Sequence, residues 1–407
     1  MKSSTRLARV SAAATAAVVV GVLSACGSSS QSGGSSQPPL AGEAALRSAM
    51  TALIGKDGPP GVIAVVQNGT NVYTVAEGKA EIANAQPMTA TATTRIASVS
   101  KPFSGAIILS LASQGKLALG TPIGQLLPSV PKAWSKATMA QVLQHTSGIP
   151  DYIKDPKFLK QFIANPKMER TPQQLIGYVA NDPLDFAPGS KYGYSDTDNI
   201  VAGLIAERLV GKPYADIVKQ FVAAPMELSN TSLPATVELP SGYIHGYDVR
   251  PPAVPEASSV PPEDVSQLIN PGLAWASGGM ISTAADLNTF VRGMLGGKLF
   301  NPQVLTDPGG FVPGAGGPPG PGTNSSGMSI YRYDTACGTV YGHTGNMPGY
   351  TAFIASNSNG SNSVSVVVNS QITPKGDDAV FQRLLAVETQ AICSSNGQAS
   401  PSPSASN

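Results

Sequence analysis

The chain has 407 residues, 42% of them hydrophobic and only 13% charged, against a usual charged share of roughly 25%; this excludes a disordered solvating chain and a coiled coil. With 43 Gly and 35 Pro, below the ~25–30% combined share of a low-complexity chain, it is loop-rich yet long enough to bury a substantial core. Lys2, Arg6 and Arg9, with no acidic residue, precede residue 26, and without that leader the 26 basic and 25 acidic residues become 23 against 25. That balance excludes nucleic acid as a partner, because binding phosphates requires a cationic surface.

The apolar run 10–23, interrupted by Ser11 and Thr15, is too short to span ~30 Å of hydrocarbon. Behind its basic start it reads as a secretory leader over residues 1–25. Leu23-Ser24-Ala25-Cys26-Gly27 resembles the bacterial lipobox, which makes Cys26 the expected lipidated first residue; the alternative is an ordinary signal peptide with an incidental cysteine. Residues 26–42, rich in Ser, Gly, Gln and Pro, read as a flexible tether. The expected location is therefore the extracytoplasmic face of the cell membrane, held by a lipid anchor. With Cys26 lipidated, Cys337 and Cys393 remain as an even pair in an oxidising space and are expected to be bridged; the alternative is two separate buried thiols. Closing that loop stabilises by about 4 kcal/mol in the loop-entropy model.

The folded domain is expected over residues 43–393. Residues 62–66 and 72–76 are β-rich runs around an Asn68-Gly69 turn signal. From 98 to 114 the pattern becomes helical, with Ile107, Ile108 and Leu111 on one face and Gly115 as a stop. Between about 98 and 300 helices dominate: 171–180 opened by Thr171 and Pro172, then 199–210, 214–222 and 284–295, the last with Thr283 and Asp286 in a capping arrangement. Pro and Gly occupy 12 of the 15 positions 308–322, a surface loop with no collagen period. Strand signals return at 328–333, 339–343, 350–355 and 364–368, a closing helix follows at 377–391, and the tail 394–407 reads as unstructured. Both ends of the chain supply strands. The expected class is α+β: one antiparallel sheet built from the two ends and flanked by helices, with a mostly helical region inserted.

Ser-x-x-Lys occurs three times, at Ser98/Lys101, Ser113/Lys116 and Ser129/Lys132. Only the first opens a predicted helix, where residues i and i+3 share a face and a lysine amine reaches the serine hydroxyl. A serine hydroxyl is a weak nucleophile until a neighbour takes its proton, and the N–H groups of a helix start favour the oxyanion that follows. Further along stand Tyr192-Gly193-Tyr194-Ser195-Asp196 and Gly342-His343-Thr344-Gly345. Together these resemble the active-site serine β-lactamase and DD-peptidase superfamily, in the branch of class C β-lactamases, DD-carboxypeptidases and related esterases, whose patterns are Ser-x-x-Lys, Tyr-x-Asn and Lys/His-Thr/Ser-Gly. The stretches 142–149, 186–189, 224–228 and 278–287 are also similar to that branch, so the resemblance runs from about residue 45 to 390.

The resemblance implies that Ser98 is the acylated nucleophile and that Lys101 and Tyr194 move its proton, with the choice of base open. It places His343, Thr344 and Gly345 along the substrate cleft, and assigns the oxyanion hole to the N–H of Ser98 and one from the Tyr350 strand. It implies no cofactor. Asp196 stands where the family has Asn, and an ionised Asp only accepts hydrogen bonds. Its carboxylate is expected to hold Lys101 charged and to raise the Tyr194 pKa, so β-lactam hydrolysis is the activity least expected and ester hydrolysis is less affected. Asp196 alternatively meets a substrate ammonium.

Other chemistry finds little support. His145 lies in what resembles a structural loop of the family, and His245 sits in a loop with no evident partner. Three dispersed histidines give no metal spacing, and no Gly-x-Ser-x-Gly elbow is present. Trp134, Trp275, Tyr331 and Tyr333 read as packing residues. The expected activity is hydrolysis of a peptide-like, D-Ala-type, or ester substrate at the cell envelope through an acyl-enzyme. The alternative is a penicillin-binding-like lipoprotein that binds wall components without turnover.

Overall fold

A computed structural model describes residues 42–398 except 56, 250–261, 313–316 and 375–377. The expected leader, Cys26 and nearly all of the tether lie outside the described residues, as does the tail from 399. Helix α1 (Glu43–Leu53) buries Leu46, Met50 and Leu53 along one stripe. Strands β1 (Gly61–Asn68), β2 (Asn71–Glu81) and β3 (Gln86–Pro87) follow. The β1–β2 turn is tighter than expected, with Asn68 facing Asn71 and Gly69 at φ 58°, a conformation glycine adopts at no steric cost.

The second half of the sheet comes from the other end of the chain: β4 (Thr323–Ser326), β5 (Tyr331–Thr335), β6 (Gly338–Met347), β7 (Tyr350–Ser356) and β8 (Asn362–Val368). The order is β3-β2-β1-β8-β7-β6-β5-β4, and its neighbours run antiparallel. The two ends meet where Val65 faces Ser365. Successive side chains alternate between faces, so Ile63 and Val65 enter the core under the helical region while Val62, Ala64 and Val66 enter the core under the terminal helices. With both faces covered, β1 is an unbroken apolar run rather than an alternating one.

The terminal helices are α1 and α5 (Asp378–Ser395). The expected domain end at 393 thus falls two residues inside a continuing helix. Cys393 on α5 is bridged to Cys337 across 56 residues, with the Cα atoms 5.0 Å apart. On the other face, α2 (Ser100–Ser113), α3 (Asp196–Val210) and α4 (Ala284–Leu295) form the inserted region. Helix α2 is buried nearly all round, which explains its apolar surface on every side; its Phe103 stacks on Phe290 of α4 at 3.6 Å.

Several local readings change. The helix expected over 171–180 is the shorter Pro172–Gly177, capped by Thr171 and Gln174. The one expected over 214–222 runs from Tyr214 to Val218 and widens into a π turn over Lys219–Ala223. Strand β4 was not anticipated, because Thr-Asn-Ser-Ser carries little β signal. His245 does have partners: its Nδ1 lies 2.6 Å from Asp264 Oδ2, and its ring stacks on Tyr243 at 4.2 Å.

Glu388 of α5 is buried, and its Oε2 has no hydrogen-bond partner among the described residues. Burial pushes its carboxyl from 4.5 up to about 8. A raised carboxyl favours the fold below the unfolded value, and that contribution disappears as pH rises through the folded one. Glu388→Gln should therefore gain stability over the natural chain as pH rises from 4.5 to 8, by on the order of 3 kcal/mol. Thermal unfolding across that range checks this; a pH-independent difference contradicts it.

Candidate active site

Ser98 lies in the 3-10 turn Ala97–Val99 that leads into α2. Ala97 is held at φ 47°, a left-handed conformation that costs a non-glycine residue and that persists where the surroundings over-determine it. One turn on, Lys101 is completely buried. Its Nζ donates to Ser98 Oγ at 2.9 Å and to the Ser277 carbonyl at 2.8 Å, and forms a direct ion pair with Asp196. Those three acceptors match the three hydrogens of an ammonium. Nζ also lies 4.8 Å from the centroid of the Tyr194 ring, within cation–π range.

Tyr194 precedes α3 and donates from its hydroxyl to Ser98 Oγ at 2.9 Å. Burial, reinforced by the Asp196 carboxylate, pushes its pKa well above the ordinary value of 10, so at neutral pH it is a phenol. The influence of Asp196 has the direction expected from the sequence, but burial is the larger cause. Asp196 begins α3, where the exposed N–H groups favour negative charge, and its own N–H donates to Asp151 Oδ1 at 3.1 Å. Burial, followed by the Asp196 carboxylate, pushes Asp151 up to about 7.

Below the tyrosine, His145 is buried at φ 56°, its Nδ1 3.0 Å from Asp198 Oδ2 and its ring 4.6 Å from that of Tyr194. Burial, then Lys101, lowers its pKa to about 3, and burial raises that of Asp198; both shifts favour neutral forms. Ser147 donates to Asp198 at 2.5 Å. His145 therefore braces the tyrosine from the loop where the sequence placed a structural residue.

Strand β6 passes closest at Gly345, where a Cβ would stand 2.2 Å from the Ile96 carbonyl oxygen and 3.1 Å from the Val99 nitrogen. Only glycine lets the strand lie against the nucleophile turn. Strand alternation then sends Thr344, opposite Phe353, toward the terminal-helix core to which Phe353 belongs. His343 is buried with a strongly lowered pKa, caused first by burial and then by Lys101.

A cavity of about 280 Å³ opens over Ser98 and Asp196, and its lining from β6 is Asn346 and Met347 rather than His343 or Thr344. Pro348 borders it from the turn that leads into β7. The sequence reading missed Ser277, whose carbonyl holds Lys101; the signal was its position next to the Gly278-Gly279-Met280 stretch. It also missed Asp151 and Asp198, which no motif marks. Among the described residues no group of three or more His, Cys, Asp or Glu could hold a metal ion.

A serine oxygen contacted by a lysine and a tyrosine, at the start of a helix packed on an antiparallel sheet, defines an active-site serine hydrolase architecture. The family model described as Beta-lactamase matches residues 46–389, and the chain belongs to that family, within the serine hydrolases. Among similar proteins, the esterase EstB of Burkholderia gladioli is 28% identical over 61% of this chain and 68% of its own length. Penicillin-binding protein 4* of Bacillus subtilis is 27% identical over 46% of this chain and only 41% of its own. The crystal structure of a D-stereospecific amidohydrolase from a Streptomyces species aligns with a TM-score of 0.72 and 28% identity, covering 85% of this chain and 98% of the other.

Because burial dominates the Tyr194 shift, its phenol should resist base. The difference in absorbance near 295 nm between the natural chain and Tyr194→Phe is expected to show no phenolate below pH 10; ionisation near pH 7–8 contradicts this account.

Proposed function

We propose that the protein is a lipid-anchored hydrolase of the cell envelope that forms an acyl-enzyme at Ser98 with ester or peptide-like, D-residue-containing substrates. The observation that carries this reading is that Ser98 Oγ lies 2.9 Å from both Lys101 Nζ and the Tyr194 hydroxyl. The names of the esterase and the D-stereospecific amidohydrolase are consistent with it. The anchor at Cys26 rests on the lipobox-like leader.

In this reading Ser98 Oγ attacks the substrate carbonyl as its proton passes to Lys101, which in the same step hands one of its own ammonium protons to Asp196 through their direct contact. The tetrahedral intermediate expels the alcohol or amine, which takes its proton from Tyr194. Tyr194 recovers a proton from the lysine–aspartic acid pair, so the net transfer is from Ser98 to the leaving group. Water then cleaves the acyl-Ser98 ester by the reverse route. Asp196 thus supplies a base that can take a proton, which Asn lacks, but offers no N–H to an acyl-amide carbonyl, which disfavours β-lactams. Since Asp196 also borders the cavity, a substrate ammonium would meet a carboxylate there.

Short-chain p-nitrophenyl esters, D-alanine-terminated peptides, D-amino acid amides and a chromogenic cephalosporin form the test panel. Ester turnover is expected with little cephalosporin loss, absent in Ser98→Ala and reduced roughly 10²–10⁴-fold in Tyr194→Phe. Asp196→Asn should weaken amides bearing a free ammonium; an improvement would refute that contact. No turnover of any panel member would leave the wall-binding alternative.

A further inference from the structure

The cavity over Ser98 takes its aromatic lining, Tyr152, Phe158 and Phe162, from one short segment. Asp155 caps the helix Pro156–Ala164, accepting from the Phe158 N–H at 2.8 Å. Phe158 is wedged edge-on between Tyr152, at 5.1 Å, and Tyr178, at 5.3 Å, which fixes the helix. Phe162 lies one turn further on, its ring 10° from parallel to that of Phe158. Tyr152, Phe158, Leu159 and Phe162 line the same space as Ser98 and Asp196, together with Leu273 and Met347.

That wall continues out of the cavity. Among the described residues four large hydrophobic side chains are exposed: Val72, Ile153 (37%), Leu159 (41%) and Ile163 (79%). Three of the four fall within the eleven residues 153–163, and Leu159 and Ile163 lie one turn apart on the same helix. Single exposed apolar residues need no explanation, whereas a contiguous patch joined to a pocket marks a binding surface. Two of the three, Ile153 and Leu159, also line the cavity itself, so the patch and the pocket are one surface.

We propose that the segment 152–163 is an extended apolar subsite that selects substrates bearing a long alkyl or aromatic group beside the scissile carbonyl. The inference rests on the acyl-enzyme reading for the identity of the reacting serine, but the subsite itself is a matter of binding. The occupant is the substrate's own apolar group because the wall is continuous with the space over Ser98 and Asp196. An acetyl group is too short to cover this wall, while each further methylene would leave water against Phe158, Phe162 or Leu159.

The test is a chain-length series read in two ways. In the natural chain, kcat/KM for p-nitrophenyl acetate, butanoate, hexanoate and octanoate is expected to rise about threefold to fourfold per methylene, corresponding to ~0.8 kcal/mol each, until the patch is covered. In Ser98→Ala, calorimetric Kd values for the matching n-alkyl amides should fall with the same slope, so the subsite is measured whether or not turnover occurs. Leu159→Asp, at an exposed position, should flatten both series, and Leu159→Met should restore them. A flat series in the binding measurement overturns the inference even if esters are hydrolysed. A slope that Leu159→Asp leaves intact overturns it too, as does an intact slope accompanied by lost binding to anionic lipid vesicles, which would make the patch a membrane contact. Loss of turnover with the binding slope preserved would sink the acyl-enzyme reading and leave the subsite standing.

Discussion

A buried ammonium organises this molecule. Lys101 has no solvent exposure, and a charge so placed is tolerated only when paired and fully hydrogen-bonded. Its three acceptors come from three places in the sequence: Ser98 one turn away, Asp196 at the head of α3, and the Ser277 carbonyl in the short helix Trp275–Gly278. One side chain therefore ties together the start of α2, the start of α3 and the segment leading to α4. Removing any acceptor would leave part of a buried charge uncompensated, so the same contacts that position the serine hold the helical region together.

The sheet supplies the other half of the constraint. Pairing β1 with β8 joins the two chain ends and lets a long helical insertion leave and return without disturbing the strand register. The nucleophile turn must then be pressed against β6, and the absence of a side chain at Gly345 permits it. Tyr194 completes the arrangement from the far side, with His145 against its ring. Burial keeps the phenol protonated, which fits it to donate a hydrogen bond to Ser98 and suits it to return a proton to a leaving group.

Much of this was legible where the signal is local. Ser98 and Lys101 stand at a spacing that shares a helix face, and the helix over 284–295 appears with the same limits because Thr283 caps it. Tyr194 and Asp196 were legible only through resemblance to a family, since nothing local ties them to Ser98. The Ser277 carbonyl carries no residue-type signal, as every residue has one. The start of α3 was expected at Asn199, but the helix begins at Asp196, because acidic first-turn residues interrupt the apolar period. A motif read along one strand does not say which face of the sheet each of His343, Thr344 and Gly345 occupies. Gly345 abuts the nucleophile turn, while Thr344 stands opposite Phe353 and, with Gly345 and Asn346, borders a second cavity that shares Asn346 with the one over Ser98.

The central claim is that the buried lysine makes the oxygen of residue 98, and no other serine, chemically competent. Reaction with a fluorophosphonate followed by intact-mass analysis and peptide mapping tests it most directly. The account predicts one adduct per chain, mapped to Ser98, that disappears in Lys101→Met although that variant remains folded by circular dichroism. An adduct on another residue, or undiminished labelling of Ser98 without the lysine, would contradict it.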